Sequence, residues 1–304
     1  MTTSMESMTN TLRGGDPSPH PAGTEEKRPN RIPEATLVAL RRRKRLSLLL
    51  NVLGVSFSVL LWFLLSEYFK VSYFAKLPGP LISLKTWLSP TPEYGLSLFT
   101  TEYYIHTAAS VWRVYTAFLL ATLLGIPLGL FMGWKKTFRD YTFPLMEIFR
   151  PIPTLAWVPL AILMWPHAEV AIIFLTFLGS FFATILNTML GVESIDQSYF
   201  RAASCLGAKP AYIFRTIVVP GAMPFIFTGL QISMGFAWFS LVAAEMVSGE
   251  YGLGYLIWDS YNLAQFPNIV IGMITLGVTG GLSSLLIRFV GNQLMRWKVR
   301  EEAR

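Results

Sequence analysis

Charged residues are scarce in this chain of 304 residues: they make up 14% of it, whereas hydrophobic residues make up 53%. Soluble domains carry about 25% charged residues, so this composition excludes an ordinary water-soluble globular enzyme. So few charged residues cannot cover a water-facing surface. Lipid must therefore be the solvent for most of the chain.

Residues that carry catalytic or metal chemistry are also scarce. Cys205 is the single cysteine, which excludes an internal disulfide and any CxxC metal or redox motif. The three histidines, His20, His106 and His167, are too scattered to predict a metal site. The sequence has no GxxxxGKS/T phosphate-binding loop, no GxSxG motif and no HExxH motif. We therefore predict a non-catalytic protein that holds no metal and no other cofactor.

Long apolar runs are what the sequence does have. A helix needs roughly 20 apolar residues to cross a hydrocarbon core of about 30 Å. Six stretches reach that length, at approximately 46–66, 111–133, 142–165, 170–190, 217–247 and 268–290. The sequence thus predicts an all-α polytopic membrane protein with six transmembrane helices.

Basic residues indicate which loops face the cytoplasm. Five consecutive basic residues (41–45) precede the first run, and the loops 134–140 and 191–216 each hold three Lys or Arg, whereas 248–267 holds none. The C-terminal tail adds four more, Arg296, Lys298, Arg300 and Arg304. The positive-inside rule then predicts that both termini and the 191–216 loop are cytoplasmic. Because these residues sit at the ends of apolar runs, we expect no nucleic-acid partner.

Residues 1–45 differ in composition from the rest of the chain. Their low hydrophobicity, their scattered Pro and Gly and their lack of any period predict a disordered, basic cytoplasmic tail. Residues 46–304 then form the transmembrane domain.

Glycines and prolines indicate two special helices. Gly125, Gly129 and Gly133 share one helical face and predict a close helix–helix contact, either within one subunit or between two copies of the chain. The third run contains Pro144, Pro151, Pro153, Pro159 and Pro166, which predict a broken helix inside protein or against a wet cavity. Pro151 and Pro153 then either border a translocation path or only kink the helix.

Two polar features lie near predicted membrane ends. His106, Ser110 and Arg113 recur at helical spacing, and we expect them to form an interfacial helix face whose arginine reaches toward lipid headgroups. The alternative is an outer vestibule in which Arg113 attracts an anion. Glu245 falls near the end of the fifth run, where water can reach it, although an intramembrane carboxylate is by default a candidate for the path.

The loop between the fourth and fifth runs predicts two short helices separated by a sharp turn. Ser194 can cap the first helix, Gly207 can end it, and Pro210 can begin the second. Ala203 and Gly207 are four residues apart on one helical face, and we expect them to present a shallow surface to another protein. Such a helix can transmit a rigid-body push into the fifth span.

This loop resembles the EAA loop of ABC importer permeases. Its spacing of Ala202, Ala203, Gly207, Ile217, Val219 and Pro220 is similar to the family pattern E-A-A-x3-G-x9-I-x-L-P, with Arg201 in place of the glutamate and Val219 in place of the leucine. The resemblance implies a type I, MetI-like fold. It also implies that residues 196–220 are a coupling loop, in which Arg201, Ala202, Ala203, Gly207 and Pro220 serve contact with a partner ATPase.

Further stretches resemble the permeases of the nitrate, sulfonate, taurine and bicarbonate group. They are LPGP (77–80), GIPLGL (125–130), RPIPTLAWVPLAIL (150–163), FTGLQISMGFAWFSLVAAEM (227–246) and GLGYLIWDSYN (252–262). The resemblance implies a multi-pass subunit of the bacterial inner membrane that works as a homodimer. Its implied partners are an ABC ATPase and a periplasmic binding protein that delivers a small anion.

Two rival functions remain open at this point. One is a self-contained, ion-coupled carrier or channel, although few ionisable residues lie inside the spans to relay ions. The other is a polytopic membrane enzyme, against which the lack of a clustered His, Asp and Glu constellation argues.

Overall fold

A computed structural model describes residues 34–69, 77–92 and 96–295, and within these ranges it contains helices and no strand. The all-α prediction is therefore confirmed. Residues 1–33 of the predicted tail and the basic residues Arg296, Lys298, Arg300 and Arg304 lie outside the described ranges.

Eleven α-helices follow one another along the described residues, with short 3-10 and π turns between some of them. The α-helices are α1 Glu34–Phe63, α2 Pro80–Trp87, α3 Thr101–Trp134, α4 Lys136–Phe149, α5 Val158–Met164, α6 Ala168–Glu193, α7 Gln197–Cys205, α8 Pro210–Ile213, α9 Val219–Ser248, α10 Leu253–Asn262 and α11 Phe266–Leu294. A π turn at Leu64–Tyr68 extends α1, a 3-10 turn at Thr154–Trp157 precedes α5, and a π turn at Phe214–Val218 joins α8 to α9.

Five helical segments in the described residues are long and apolar enough to cross a membrane, or six if one bent pair counts as a single span. The pair joins Lys136–Phe149 to Thr154–Met164 at an angle of 84°. It corresponds to the proline-rich third run, so the prediction of a broken helix there is confirmed.

The first helix begins earlier than the sequence predicts. α1 starts at Glu34, so residues 34–45 are helical, and their assignment to a disordered tail was wrong. Pro33 is the last helix breaker before Gly54, and the intervening Lys, Arg and Leu residues favour a helix.

The chain divides into two compact units, Met1–Ser58 and Val59–Arg304, and the second contains every feature described below.

Three long helices, α3, α6 and α9, form the centre of the second unit. Their contact faces bury large apolar side chains completely, among them Ile172, Leu175, Met234 and Leu241. Lipid is as apolar as these side chains, so close packing rather than the hydrophobic effect must hold such helices together.

The α3 glycines permit a close contact between α3 and α6. A methyl group added at Gly125 would meet Thr184, one at Gly129 would meet Thr188, and one at Gly133 would meet Val192, all on α6. The glycine face of α3 thus packs against α6 of the same chain. The sequence predicted a contact either within one subunit or between two copies, and the structure shows the contact within one subunit.

Candidate functional site

The predicted coupling loop, residues 196–220, begins with a capped helix. α6 ends at Glu193, and the Asp196 carboxylate accepts a hydrogen bond of 2.7 Å from the backbone N–H of Ser198, which makes Asp196 the N-cap of α7. Ser194 instead caps the C-terminus of α6, so its predicted role at the start of α7 was wrong. The hydrogen bond from Ser198 lowers the pKa of the Asp196 carboxyl. The cap therefore stabilises α7 at neutral pH and is lost as the pH falls through that depressed pKa.

Gly207 terminates α7 as predicted. Its φ of +75° lies in the left-handed region, and the N–H of Ala208 donates to the carbonyl of Ala203 at 3.0 Å while the N–H of Gly207 donates to that of Ser204 at 3.0 Å. These two bonds define a Schellman motif, which favours glycine at this position. Gly207 therefore lies beyond the helix, and the prediction that it shares a helical face with Ala203 was wrong.

The second half of the coupling loop continues into the membrane without a break. Pro210 begins α8, and α8, the π turn and α9 form one helical segment from Pro210 to Ser248. Pro220 has no N–H to donate to the preceding turn, which accounts for the π turn just before it. The Phe214 ring lies 5.6 Å from that of Phe131 and 4.8 Å from that of Trp134, both on α3. α8 is therefore continuous with α9, and Phe214 places the π turn between them in contact with the end of α3.

Apolar side chains project from this loop into open space. Leu206 is 87% exposed, Tyr199 62% and Tyr212 61%, while Arg201 and Ala202 are exposed and Ala203 is half-buried. A methyl group added at Gly207 would meet nothing within 4 Å. Exposed aromatic and leucine side chains around a rigid turn form a surface suited to a groove on another protein.

A second set of polar residues forms the Arg113 cluster, which comprises His106, Ser110, Arg113, Glu169 and Glu245. All of them except Glu169 are buried, and Glu245 is completely so. Arg113 donates from Nη1 to Glu245 Oε1 at 2.8 Å and from Nε to Glu169 Oε2 at 2.8 Å, and its Nη2 pairs with the other oxygen of Glu169. The prediction of an interfacial stripe with a snorkelling arginine was wrong, because Arg113 is buried and bonded to Glu169 and Glu245.

The Arg113 cluster also fixes the connection between α9 and α10. Ser110 Oγ donates to the Glu245 carboxylate and accepts from the N–H of Leu253 at 2.8 Å, and the N–H of Gly254 donates to Glu245 at 2.9 Å. Gly252 has a φ of +125°, and a side chain there would collide with the Glu245 carboxylate. The suggestion that water reaches Glu245 was therefore wrong.

Sequence reasoning missed Glu169. Glu169 is the second residue of α6 and pairs with Arg113, 56 positions earlier in the chain. The sequence could have indicated Glu169, because an ionisable residue at membrane depth, here Arg113, is expected to pair with another charged residue.

The broken span borders a cavity of about 440 Å³, which we call the Pro153 cavity. α4 ends at Phe149, Pro153 precedes the 3-10 turn, and the cavity lies between this break and the facing sides of α6 and α9. Pro153 lines it, together with Arg150, Thr154, Asn187 and Ser240 among its polar residues. Pro151 is exposed beside it, and neither Arg113 nor Glu245 is among the described residues that line it.

Comparison with known proteins extends this picture. Residues 125–301 match the family described as the binding-protein-dependent transport system inner membrane component. The nitrate import permease of a Synechocystis species is 37% identical over 186 residues, which cover 61% of this chain and 68% of that protein. The bicarbonate transport system permease of Synechococcus elongatus is 34% identical over 266 residues, which cover 85% of this chain and 92% of that protein.

A solved structure supports the fold. The crystal structure of an amino acid ABC transporter with histidines aligns with a TM-score of 0.51 and 18% sequence identity over 62% of this chain and 92% of that chain. The predicted resemblance to ABC importer permeases is confirmed. The family match covers more than half of the chain, and the membrane-spanning helices agree with it. The chain belongs to the family of binding-protein-dependent transport system inner membrane components, the permease subunits of ABC importers.

Proposed function

We propose that two copies of this chain form the translocation path of an ATP-driven importer for a small oxyanion. Relatives that import nitrate and bicarbonate support an oxyanion as the solute. The further partners would be an ABC ATPase on the cytoplasmic side and a periplasmic binding protein that delivers the anion. The chain would then lie in a bacterial inner membrane and would itself hydrolyse no nucleotide.

The exposed helix α7 carries this proposal. α7, its Schellman turn and α8 present Tyr199, Leu206 and Tyr212 outward, and α8 runs into α9 without a break. ATP can bias the inward- and outward-open states only through contacts that differ between them. In this chain those contacts are assigned to the coupling loop, with Arg201, Ala202, Ala203 and Gly207 facing the ATPase and Pro220 at the entry to α9.

We assign the solute path to the Pro153 cavity. Irregular backbone at membrane depth is tolerated where it lines a cavity, and the break around Pro151 and Pro153 is of this kind. Arg113 and Glu245 are assigned a structural role instead, because all their charged atoms are engaged within the Arg113 cluster.

Reconstitution tests the proposal. The chain would be inserted into liposomes alone, or together with an ABC ATPase, and uptake of labelled nitrate and bicarbonate would be measured with the binding protein outside. We expect uptake only with the ATPase, with ATP and with the binding protein. Uptake by the chain alone, driven by an ion gradient and indifferent to ATP, would show a self-contained carrier instead.

A further inference from the structure

Two buried serines on α9 differ in their hydrogen bonding. Ser233 and Ser240 are two helical turns apart and both face α6, with 0% and 2% of their surface exposed. Ser233 Oγ lies 2.8 Å from Thr184 Oγ1 and donates to the carbonyl of Ser180 at 2.8 Å. Ser240 Oγ makes no hydrogen bond with any described residue.

An unpaired hydroxyl inside a membrane protein is unfavourable, because neither lipid nor apolar side chains can hydrogen-bond to it. Other serines of these helices avoid this by donating to the carbonyl four residues earlier, as Ser180 and Ser248 do. Ser240 instead lies beside Gly179, where the missing side chain leaves room, and it lines the Pro153 cavity. Ser240 thus brings a buried hydroxyl without an internal partner to the wall of the cavity.

The cavity wall is suited to an anion. None of the described residues that line it is acidic, and its polar members, Thr154, Asn187 and Ser240, carry neutral donors. Asn187 uses one amide hydrogen in a bond of 2.8 Å to the carbonyl of Ala183, which leaves the second free for a ligand. Arg150, the one cation among these residues, is half-exposed and pairs with Glu147 at 3.2 Å.

We propose that Ser240 and Asn187 form a contact point for the oxyanion in transit through the Pro153 cavity. This inference rests on the proposed function and deepens it. Neutral donors bind an anion more weakly than a buried arginine does. A weak site suits a path, because a solute must leave as readily as it enters.

Thiol labelling tests the proposal, since Cys205 is the single native cysteine. In a Cys205→Ser background, Ser240→Cys would be compared with Ser233→Cys. The probe is a sulfonatoethyl methanethiosulfonate, a small anion that transfers its thioalkyl group to an accessible thiolate. We expect Ser240→Cys to react on the order of tenfold faster than Ser233→Cys, because thiol reactivity follows access. We also expect nitrate or bicarbonate to slow the reaction.

Alanine variants provide the second arm. Ser240→Ala removes no internal hydrogen bond, so we expect unchanged thermal stability and ATP-driven anion uptake reduced on the order of tenfold, since one neutral donor to the anion is lost. Ser233→Ala removes two bonds, and we expect lower thermal stability with the uptake per folded transporter unchanged.

Three results would overturn the proposal. They are equal labelling of the two cysteines, labelling that neither anion slows, and full uptake by Ser240→Ala. Each leaves the importer assignment intact as long as the unaltered chain shows ATP-dependent uptake. Loss of that uptake would instead contradict the proposed function.

Discussion

At the scale of single residues, Gly207 combines a backbone conformation that favours glycine with an environment that would tolerate a side chain. Its φ of +75° disfavours other residues, yet no atom lies within 4 Å of the place where a Cβ would stand. The left-handed conformation costs a non-glycine residue about 1–2 kcal/mol. A side chain at Gly207 therefore destabilises the fold only modestly, and its larger effect is on the binding of a protein that docks against the turn.

Gly207→Glu is expected to abolish ATP-driven uptake while the chain still inserts and folds. The added carboxylate would project from the turn into the proposed ATPase contact. Membrane insertion, thermal stability and uptake would be measured in parallel. Gly207→Asn is the control, because asparagine tolerates the left-handed conformation and adds no charge. Normal uptake by Gly207→Glu with the ATPase bound would remove the coupling role from this turn.

Arg113→Met is expected to destabilise the fold far more than Glu169→Gln does. Loss of Arg113 leaves the fully buried Glu245 without its cation, and breaking a buried pair in this way costs about 3–5 kcal/mol. The Glu169 side chain is 59% exposed, so its pair with Arg113 contributes about 1 kcal/mol or less. Thermal unfolding of the purified chain measures both. Equal stability of the two variants would contradict a structural role for the Arg113 cluster.

The spacing of His106, Ser110 and Arg113 in the sequence predicted a shared face but not where that face points. The partners of Arg113 are Glu169 and Glu245, 56 and 132 positions away, and no local pattern joins them. Gly207 and Pro210 were predictable as helix boundaries because their backbone restrictions are local. The positions of Ser240 and Asn187 depend on how α6 and α9 pack, which the sequence leaves open.

At the scale of elements, the short helices α7 and α10 end in the same way, although they follow spans that lead to opposite sides of the membrane. Each is followed by an exposed leucine, Leu206 after α7 and Leu263 after α10, with 87% and 58% of its surface exposed. α7 follows α6 and α10 follows α9, so the two leucines offer a matched pair on the predicted cytoplasmic and outer sides.

Leu206→Asp is expected to weaken binding of the ATPase on the order of tenfold or more, because full burial of a leucine side chain contributes about 1.5–3 kcal/mol and the aspartate loses it. Leu263→Asp is expected to leave that binding unchanged. Neither change removes a buried contact, so the thermal stability of both variants should match that of the unaltered chain. Co-purification with the ATPase from detergent measures the effect. Equal loss by both variants would indicate a general defect rather than a docking surface.

The spans were predictable because lipid selects for apolar length, and the five prolines of the third run indicated its break. The first and last residues of the spans were less predictable. α3 begins at Thr101, ten residues before the predicted run, because its first turns carry the polar members of the Arg113 cluster. One face of those turns, with His106 and Ser110, is buried against protein, and a search for apolar length passes over it.

At the scale of the whole molecule, the importer mechanism requires the coupling loop to be cytoplasmic. This orientation rests on the basic residues of 134–140 and 191–216, against a 248–267 segment that has none. The exposed Cys205 lies at the end of α7 and reports directly on the side that the coupling loop faces.

A membrane-impermeant maleimide is expected to label Cys205 in inside-out vesicles and to leave it unlabelled in intact cells. Leu263→Cys in a Cys205→Ser background is the control, and it should show the opposite pattern because α10 lies beyond the far end of α9. Labelling would be measured as a mass shift of the purified chain. If Cys205 reacts in intact cells while Leu263→Cys does not, the chain is inserted the other way round. An ATPase in the cytoplasm could then not reach α7, and the coupling assignment would have to be abandoned.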